Sequence, residues 1–289
     1  MSGRPWRLGA STLGAPGDDL AAVIDVLTRH DVDVVELRAA PDALVHIGLT
    51  TAERTRIRAE LEAAGIEVLA VASGIRAGAD TDDESVVAAL IAHLHLAADL
   101  GSGFLRVFPG APAHPAGKDE LPRLLEDTAT ADARIVRRLA AALPVATDLG
   151  VRPLLETHDS HPRGVDLARA LDLLGAADPD HRVGVIWDAL HPWRVGEHPA
   201  DTAAALLPHL RDGRGYVQIK DTVSAADTTP VLQGTGVVPM DEVLELLAEG
   251  GYHGPVSLEW ERTWYPQVEP LDEALGAAAA AVASWRVRT

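Results

Sequence analysis

Four apolar runs in the second half of the chain end in polar, oxygen-bearing side chains. They read Pro-Leu-Leu-Glu156-Thr-His158, Val-Gly-Val-Ile-Trp-Asp188-Ala-Leu-His191, Tyr-Val-Gln218-Ile-Lys220-Asp221 and Val-Ser-Leu-Glu259-Trp-Glu261. Side chains alternate along an extended strand. Glu156 and His158 therefore share one face, with Leu155 and Thr157 on the other. Gln218 and Lys220 share a face, as do Ser257, Glu259 and Glu261. If these strand ends converge, three carboxylates meet, repel one another and resist desolvation. A bound cation resolves that conflict, and Glu156, Asp188, Gln218 and Glu259 offer it four oxygen atoms from four successive strands. Any one of these acids is also an ordinary strand-end or surface residue; the order of all four carries the reading.

The elements that must position them form a regular series. Apolar or β-branched runs at Trp6–Ala10, Val32–Leu37, Glu67–Ala72, Gly103–Phe108, Val151–Glu156, Arg182–Asp188, Gly215–Lys220 and Val256–Glu259 predict eight strands. Helical patterns fill the gaps. Asp18–His30 has Leu20, Val23, Ile24 and Leu27 at helical spacing. Thr51–Ala64 stops at Gly65, Asp82–Leu100 at Gly101, and Asp241–Ala248 before Gly250-Gly251. Ala131–Leu149 contains Pro144, which predicts a kink or break. Strict alternation implies a parallel sheet with right-handed crossovers. Eight units predict an α/β fold, a single (β/α)8 TIM barrel spanning residues 1–289. No Gly-x-Gly-x-x-Gly follows the first strand, against a dinucleotide-binding sheet. The long unpatterned stretches Pro109–Leu121 and Asp221–Pro239 follow strands and so fall on the catalytic face.

Composition narrows the chemistry. The 289 residues carry 43 Asp and Glu against 25 Lys and Arg, a formal charge of −18. Nucleic-acid binding and docking on an anionic membrane both need a basic surface, so neither is expected. With no cysteine, disulfides, thiolate metal sites and a Cys nucleophile are excluded. No apolar run is long enough to span a bilayer. The start, Met-Ser-Gly-Arg-Pro-Trp-Arg, lacks a secretory h-region, so a cytoplasmic location is expected.

The motifs resemble the xylose isomerase-like barrel superfamily of sugar-phosphate isomerases and epimerases. Glu156-Thr-His158 resembles its Glu-x-His, Asp188-Ala-Leu-His191 its Asp-x-x-His, and Lys220-Asp221 its Lys-Asp. Leu232-Gln-Gly234-Thr-Gly236, Asp241-Glu-Val-Leu, Gly251-Tyr252-His-Gly254 and Ser257-Leu-Glu259 resemble its closing block. The resemblance implies Glu156, Asp188, Gln218 and Glu259 as metal ligands, Glu156 and Glu259 as the acid/base pair, and His191 as a contact to substrate oxygens. It implies a small-molecule sugar or keto-polyol substrate and admits a homodimer. Gln218 stands where the family usually has His. An all-oxygen set is harder than one with imidazole and favours Mn²⁺ or Mg²⁺ over Zn²⁺. The departure also admits a barrel that binds sugar without metal or catalysis. Ser224 and Pro162 replace the Arg and acid of ketose 3-epimerases, which counts against D-tagatose 3-epimerase-type recognition. The endonuclease branch, with its several zinc ions, is disfavoured by the charge and by a third strand ending at Ser73 without His.

The implied reaction removes a proton beside a carbonyl through an enediolate, giving isomerisation or epimerisation. The same intermediate can expel a β-substituent, so a dehydratase or lyase is the alternative. His158 is the candidate general acid for that route, or a partner orienting Glu156. Lys220 supports the developing oxyanion. Arg38 and Arg106 either hold a substrate phosphate or carboxylate or pair with acids inside the barrel. Trp193 and Trp264, on expected loops, are candidate pocket walls; Trp187 and Trp260, one residue out of phase with the ligands, are expected to pack under helices.

Overall fold

The structure, a computed structural model, describes residues 6–177 and 182–285. The amino-terminal pentapeptide, on which part of the leader reading rests, lies outside them. The strands in chain order are β1 (Leu8–Ser11), β2 (Val34–Ala39), β3 (Glu67–Arg76), β4 (Phe104–Phe108), β5 (Arg152–Glu156), β6 (Gly184–Asp188), β7 (Gly215–Ile219), β8 (Asp221–Thr222), β9 (Pro230–Val231) and β10 (Val256–Leu258). All but β8 and β9 close into a parallel barrel in the order β1-β10-β7-β6-β5-β4-β3-β2. Closure comes from β1, which pairs Leu8 with Val256 on one side and Gly9 with Val34 on the other. β8 and β9 form a small antiparallel ribbon in the loop after β7.

Around the barrel run α1 (Leu20–Arg29), α2 (Thr51–Ala63), α3 (Asp83–Asp99), α4 (Thr128–Leu149), α5 (Gly164–Ala177), α6 (Leu190–Arg194), α7 (Pro199–Leu210), α8 (Met240–Glu249) and α9 (Leu271–Ser284). Asp19, Thr50, Asp82 and Asp127 cap the first four by accepting a backbone N–H, and Thr50 forms a full capping box with Glu53. Each such cap is worth about 1 kcal/mol. α4 does not break at Pro144. The helix runs on to Gly150, whose left-handed φ of 68° ends it. Pro144 removes one backbone N–H, but Ile135, Leu139, Ala142, Leu143 and Ala146 are buried on both sides of it. That burial outweighs one lost hydrogen bond. No helix among the described residues is long and apolar enough to cross a membrane.

Strand alternation divides the barrel into two apolar regions. Outward residues pack under the helices in the main core, including Trp187 and Trp260 as expected. Inward residues Val34, Leu69, Ala70, Leu154, Ile186 and Tyr216 form a separate plug, with Phe104 against it. Two residues further along the same strands, the inward positions are Glu36, Arg106, Glu156, Asp188 and Gln218. One pleat therefore carries these five strands from an apolar floor to a polar layer.

Candidate active site

The register sets the heights of the polar side chains. Asp188 pairs with Gln218, and Gln218 with Ser257, so Glu259 stands one pleat above that level. Glu156 pairs with Ile186, one pleat below Asp188. The sequence-predicted residues Glu156, Asp188, Gln218, Lys220 and Glu259 are thus brought together at the carboxyl end of the barrel, all buried.

Their contacts differ sharply. Glu259 is fully engaged: Oε1 accepts from Arg106 Nη1 at 2.9 Å and Gln218 Nε2 at 3.3 Å, and Oε2 accepts from Lys220 Nζ at 2.5 Å. Lys220 Nζ also lies 2.8 Å from Asp188 Oδ2 and 2.8 Å from Glu261 Oε1. Asp188 Oδ1 accepts from the Leu190 backbone N–H at 2.8 Å. Glu156 has neither oxygen hydrogen-bonded; Arg106 Nη1 approaches Oε2 at 3.4 Å. The Gln218 carbonyl oxygen is likewise buried without a partner among the described residues. Its amide nitrogen donates to Glu36 Oε2 at 3.0 Å, which also accepts from Tyr216 Oη at 2.6 Å.

These environments separate the acids. Burial pushes the Glu156 carboxyl well above the usual range, Arg106 opposes it, and Glu259 and Asp188 add to it. Burial also raises Asp188 to about 6, against the pull of Lys220. At Glu259 burial acts upward too, but Lys220 and Arg106 together outweigh it and hold the carboxyl at about 2. Burial thus favours the neutral form of one glutamate, while two cations favour the ionised form of the other. Divergent environments of this kind assign acid and base roles to a carboxyl pair.

A divalent cation fits this cluster. Oxygens of Glu156, Asp188 and Glu259 lie within 4.8 Å of one another, and the unpartnered atoms of Glu156 and Gln218 are donors without a job. Glu36, Glu156, Asp188, Glu259 and Glu261 outnumber the cations Arg106 and Lys220, so added positive charge relieves the crowding. The sequence predicts an oxygen-only ligand set, and here the structure adds something. Glu156, His158 and His191 also offer atoms within 4.8 Å of one another. His158 follows Glu156 by one pleat and His191 follows Asp188 by one helical turn, so both imidazoles reach the same mouth. His191 is buried with both ring nitrogens unpartnered, and burial keeps it neutral, well below its ordinary pKa.

Above the carboxylates, His158 stacks on Phe108 at 4.2 Å and meets His191 edge-on at 4.5 Å. Asp159 Oδ1 lies 2.9 Å from His158 Nδ1, and Asp159 Oδ2 accepts from Arg76 Nε at 2.9 Å. The loop holding them is pinned beneath. Ser160 Oγ lies 2.8 Å from His161 Nδ1, and His161 Nε2 lies 2.9 Å from Asp132 Oδ1 of α4. The Ser160 hydroxyl also accepts the Ala111 backbone N–H at 2.9 Å, so it ties the β4 and β5 loops together.

Other expected residues lie elsewhere. Arg38 pairs with Asp42 at 2.9 Å and covers the Trp264 ring at 5.4 Å. Arg106 is committed to Glu259 and lies 3.4 Å from Glu156. Neither arginine is left unpaired for a substrate anion. Trp193 is on α6, half-buried against the main core, whereas Trp264 is 60% exposed. Sequence reasoning missed Tyr216, which the alternation through Gln218 places inward. It also missed Arg194, Thr228 and Tyr265, which no local pattern marks.

The comparisons agree with this architecture. No curated protein matches the chain. Among solved structures, the IOLI protein with a bound zinc atom is 16% identical, with 96% of this chain and 98% of that one covered and a TM-score of 0.72. D-psicose 3-epimerase with D-tagatose, from Clostridium cellulolyticum, is 15% identical over 98% and 100% of the two chains, TM-score 0.72. The probable 3-DHS dehydratase AsbF of Bacillus anthracis is 16% identical over 97% and 100%, TM-score 0.73. At these identities the likeness is one of fold. The family model described as xylose isomerase-like TIM barrel matches residues 24–283. The chain therefore belongs to the xylose isomerase-like TIM barrel family.

Proposed function

We propose that this barrel is a metal-dependent isomerase or epimerase of a small polyhydroxylated carbonyl compound. The observation that carries the reading is Glu156: a buried carboxyl, both oxygens free of hydrogen bonds, within 4.8 Å of two further carboxylates. Glu156, Asp188 and Glu259, with Gln218 Oε1, are the ligands we assign, and Mn²⁺ suits both this oxygen set and the nearby imidazoles, with Mg²⁺ as the other candidate. A divalent cation there supplies Lewis-acid stabilisation of the oxyanion that develops when the neighbouring C–H is deprotonated. Glu156 moves the proton: no protein donor among the described residues holds its oxygens, so one can ligate the cation while the other faces the substrate. Glu259 is the second carboxylate, on a non-adjacent strand, and must loosen its hold on Lys220 or Arg106 to act. One glutamate used twice suffices for aldose–ketose isomerisation; epimerisation needs both. Lys220 and His191 steady substrate oxygens, and the substrate enters past His158 and Phe108.

A second reading, elimination of a β-hydroxyl, is favoured by His158. Its ring is backed by Asp159 and held edge-on to His191 in the mouth, a placement suited to protonating a leaving group.

The test is solvent-deuterium exchange followed by NMR, across keto-sugars, inososes and keto-glycosides with Mn²⁺ present. Exchange with a recovered sugar skeleton supports isomerase or epimerase chemistry, and exchange with loss of water supports the lyase. Absence of exchange on every compound, with metal bound, sinks both and leaves a sugar-binding barrel.

Metal loading has its own signature. Burial favours the protonated form of Glu156, which must ionise to coordinate, so metal binding releases protons. Below about pH 6 Asp188 is protonated too, so proton release grows as the pH falls. Affinity therefore rises with pH. Calorimetry in buffers of different ionisation enthalpy reads the proton count directly, and an affinity flat between pH 5 and 8 overturns the assignment of Glu156 as a ligand.

A further inference from the structure

Two cations stand at the rim of the mouth without a direct ion pair to any carboxylate among the described residues. Arg194, the last residue of α6, makes no hydrogen bond or ion pair with any described residue, and its Nε is buried and unpartnered. It is nevertheless half-buried, not a solvated surface arginine. Its guanidinium lies within electrostatic reach of Asp188, Glu261, Tyr265 and Asp159, all of which ring the mouth, and burial lowers its pKa. Lys118, in the loop after β4, reaches across the barrel. Its Nζ donates to Thr228 Oγ1 at 2.8 Å and Tyr265 Oη at 3.0 Å. Thr228 lies in the loop between β8 and β9, and Tyr265 follows β10, the strand directly opposite β4 in the barrel order. Both contacts are neutral hydroxyls; Asp227 lies within electrostatic reach, but no carboxylate among the described residues forms an ion pair with the ammonium.

Lys118 is exposed, but a half-buried guanidinium without an ion pair is unusual in a chain of charge −18, where carboxylates are plentiful. Arg38 and Arg106 show the alternative, since each found an acid. Desolvating a guanidinium without a partner costs free energy that a bound anion returns. The carboxylate layer below cannot itself welcome an anion. The rim is where an anionic group can be neutralised while the rest of the molecule reaches Glu156.

We propose that Arg194 and Lys118 form an anion subsite converging on Tyr265, so that the substrate is a keto-polyol bearing a carboxylate or phosphate group. This rests on the isomerase or lyase reading of the carboxylate centre. Arg194 grips two oxygens through its planar fork, as carboxylates and phosphates both allow. Lys118 supplies the second charge and, by gripping the anion, draws the β4 loop over the mouth.

The test separates the two readings. Calorimetric titration of the full chain with inorganic phosphate and with malonate needs no turnover. Arg194→Gln is expected to weaken the better-bound probe at least about tenfold and Lys118→Met several-fold, the loss of charge-assisted hydrogen bonds. Arg211→Gln, on the far end of α7, controls for net charge and leaves binding unchanged. Preference for phosphate identifies a phosphorylated substrate and preference for malonate a carboxylated one. Equal binding by wild type and Arg194→Gln, or no binding of either probe at millimolar concentration, overturns the subsite. In the exchange assay, Arg194→Gln is expected to raise KM for an anionic substrate with kcat little changed. If neutral ketoses exchange best and Arg194→Gln has no effect, the subsite fails and the catalytic reading stands. If nothing exchanges while anion binding depends on Arg194, the catalytic reading fails and the subsite stands.

Discussion

Glu156→Gln is expected to lower the rate of solvent-deuterium exchange by about 10³-fold, the usual contribution of a positioned proton-transfer group. The unfolding midpoint of the metal-free chain is expected to hardly move. Both expectations come from the same contacts. The Glu156 oxygens accept no hydrogen bond, so exchanging one for an amide nitrogen breaks none. Without metal, burial favours the neutral form of the wild-type carboxyl, and a neutral amide of the same shape reproduces that form. Metal affinity is expected to fall, because a ligand oxygen is lost, so exchange is measured at saturating Mn²⁺. Undiminished exchange in this variant would falsify the assignment of Glu156 as the proton carrier. A large loss of stability with no effect on exchange would recast the residue as structural.

For Glu259→Gln the balance is different: the variant loses both stability and activity. Glu259 is the point where Lys220, Arg106 and Gln218 meet. Replacing it removes the carboxylate nearest to two buried cations. Breaking a buried ion pair by deleting one partner typically costs 3–5 kcal/mol, because the other charge is left behind. Lys220 keeps Asp188 and Glu261 at 2.8 Å, so about 3 kcal/mol is the expected loss. Urea denaturation of the metal-free chain reads it as a lower midpoint with the same slope. A midpoint equal to that of wild type means that the Lys220–Glu259–Arg106 network does not form in solution. The two glutamates are therefore distinguishable by stability alone, although both are expected to suppress exchange.

Much of this was legible in the sequence because it depends on short-range periodicity. The eight strands came from apolar runs bounded by turn residues, and their observed bounds differ from the expected ones by a few residues at most, the longest extension being β3 to Arg76. Which face Glu156, Asp188, Gln218 and Glu259 occupy followed from alternation. So did the outward placement of Trp187 and Trp260. The break admitted at Pro144 does not occur because helix propensity is local, whereas the helix face carrying Ile135 and Leu143 is buried by the whole barrel.

The sequence by itself determined the fold, the polar layer and the identity of its acids, since a two-residue period and a strand order suffice for those. Only the tertiary structure decided how the acids divide their labour. Glu156 and Glu259 are the same residue type at equivalent strand ends, and nothing nearby in sequence separates them. The separation arises because Arg106 and Lys220 converge on Glu259 and leave Glu156 buried, with oxygens that accept no hydrogen bond from the described residues. Tertiary structure likewise decided which arginines are spent. Arg38 and Arg106, for which the sequence leaves both substrate contact and an ion pair open, are paired, while the Arg194 side chain, which no local pattern marks, forms no ion pair among the described residues. Charge neutralisation depends on distance across the barrel, and that distance is set by closure of the sheet, which no local pattern records.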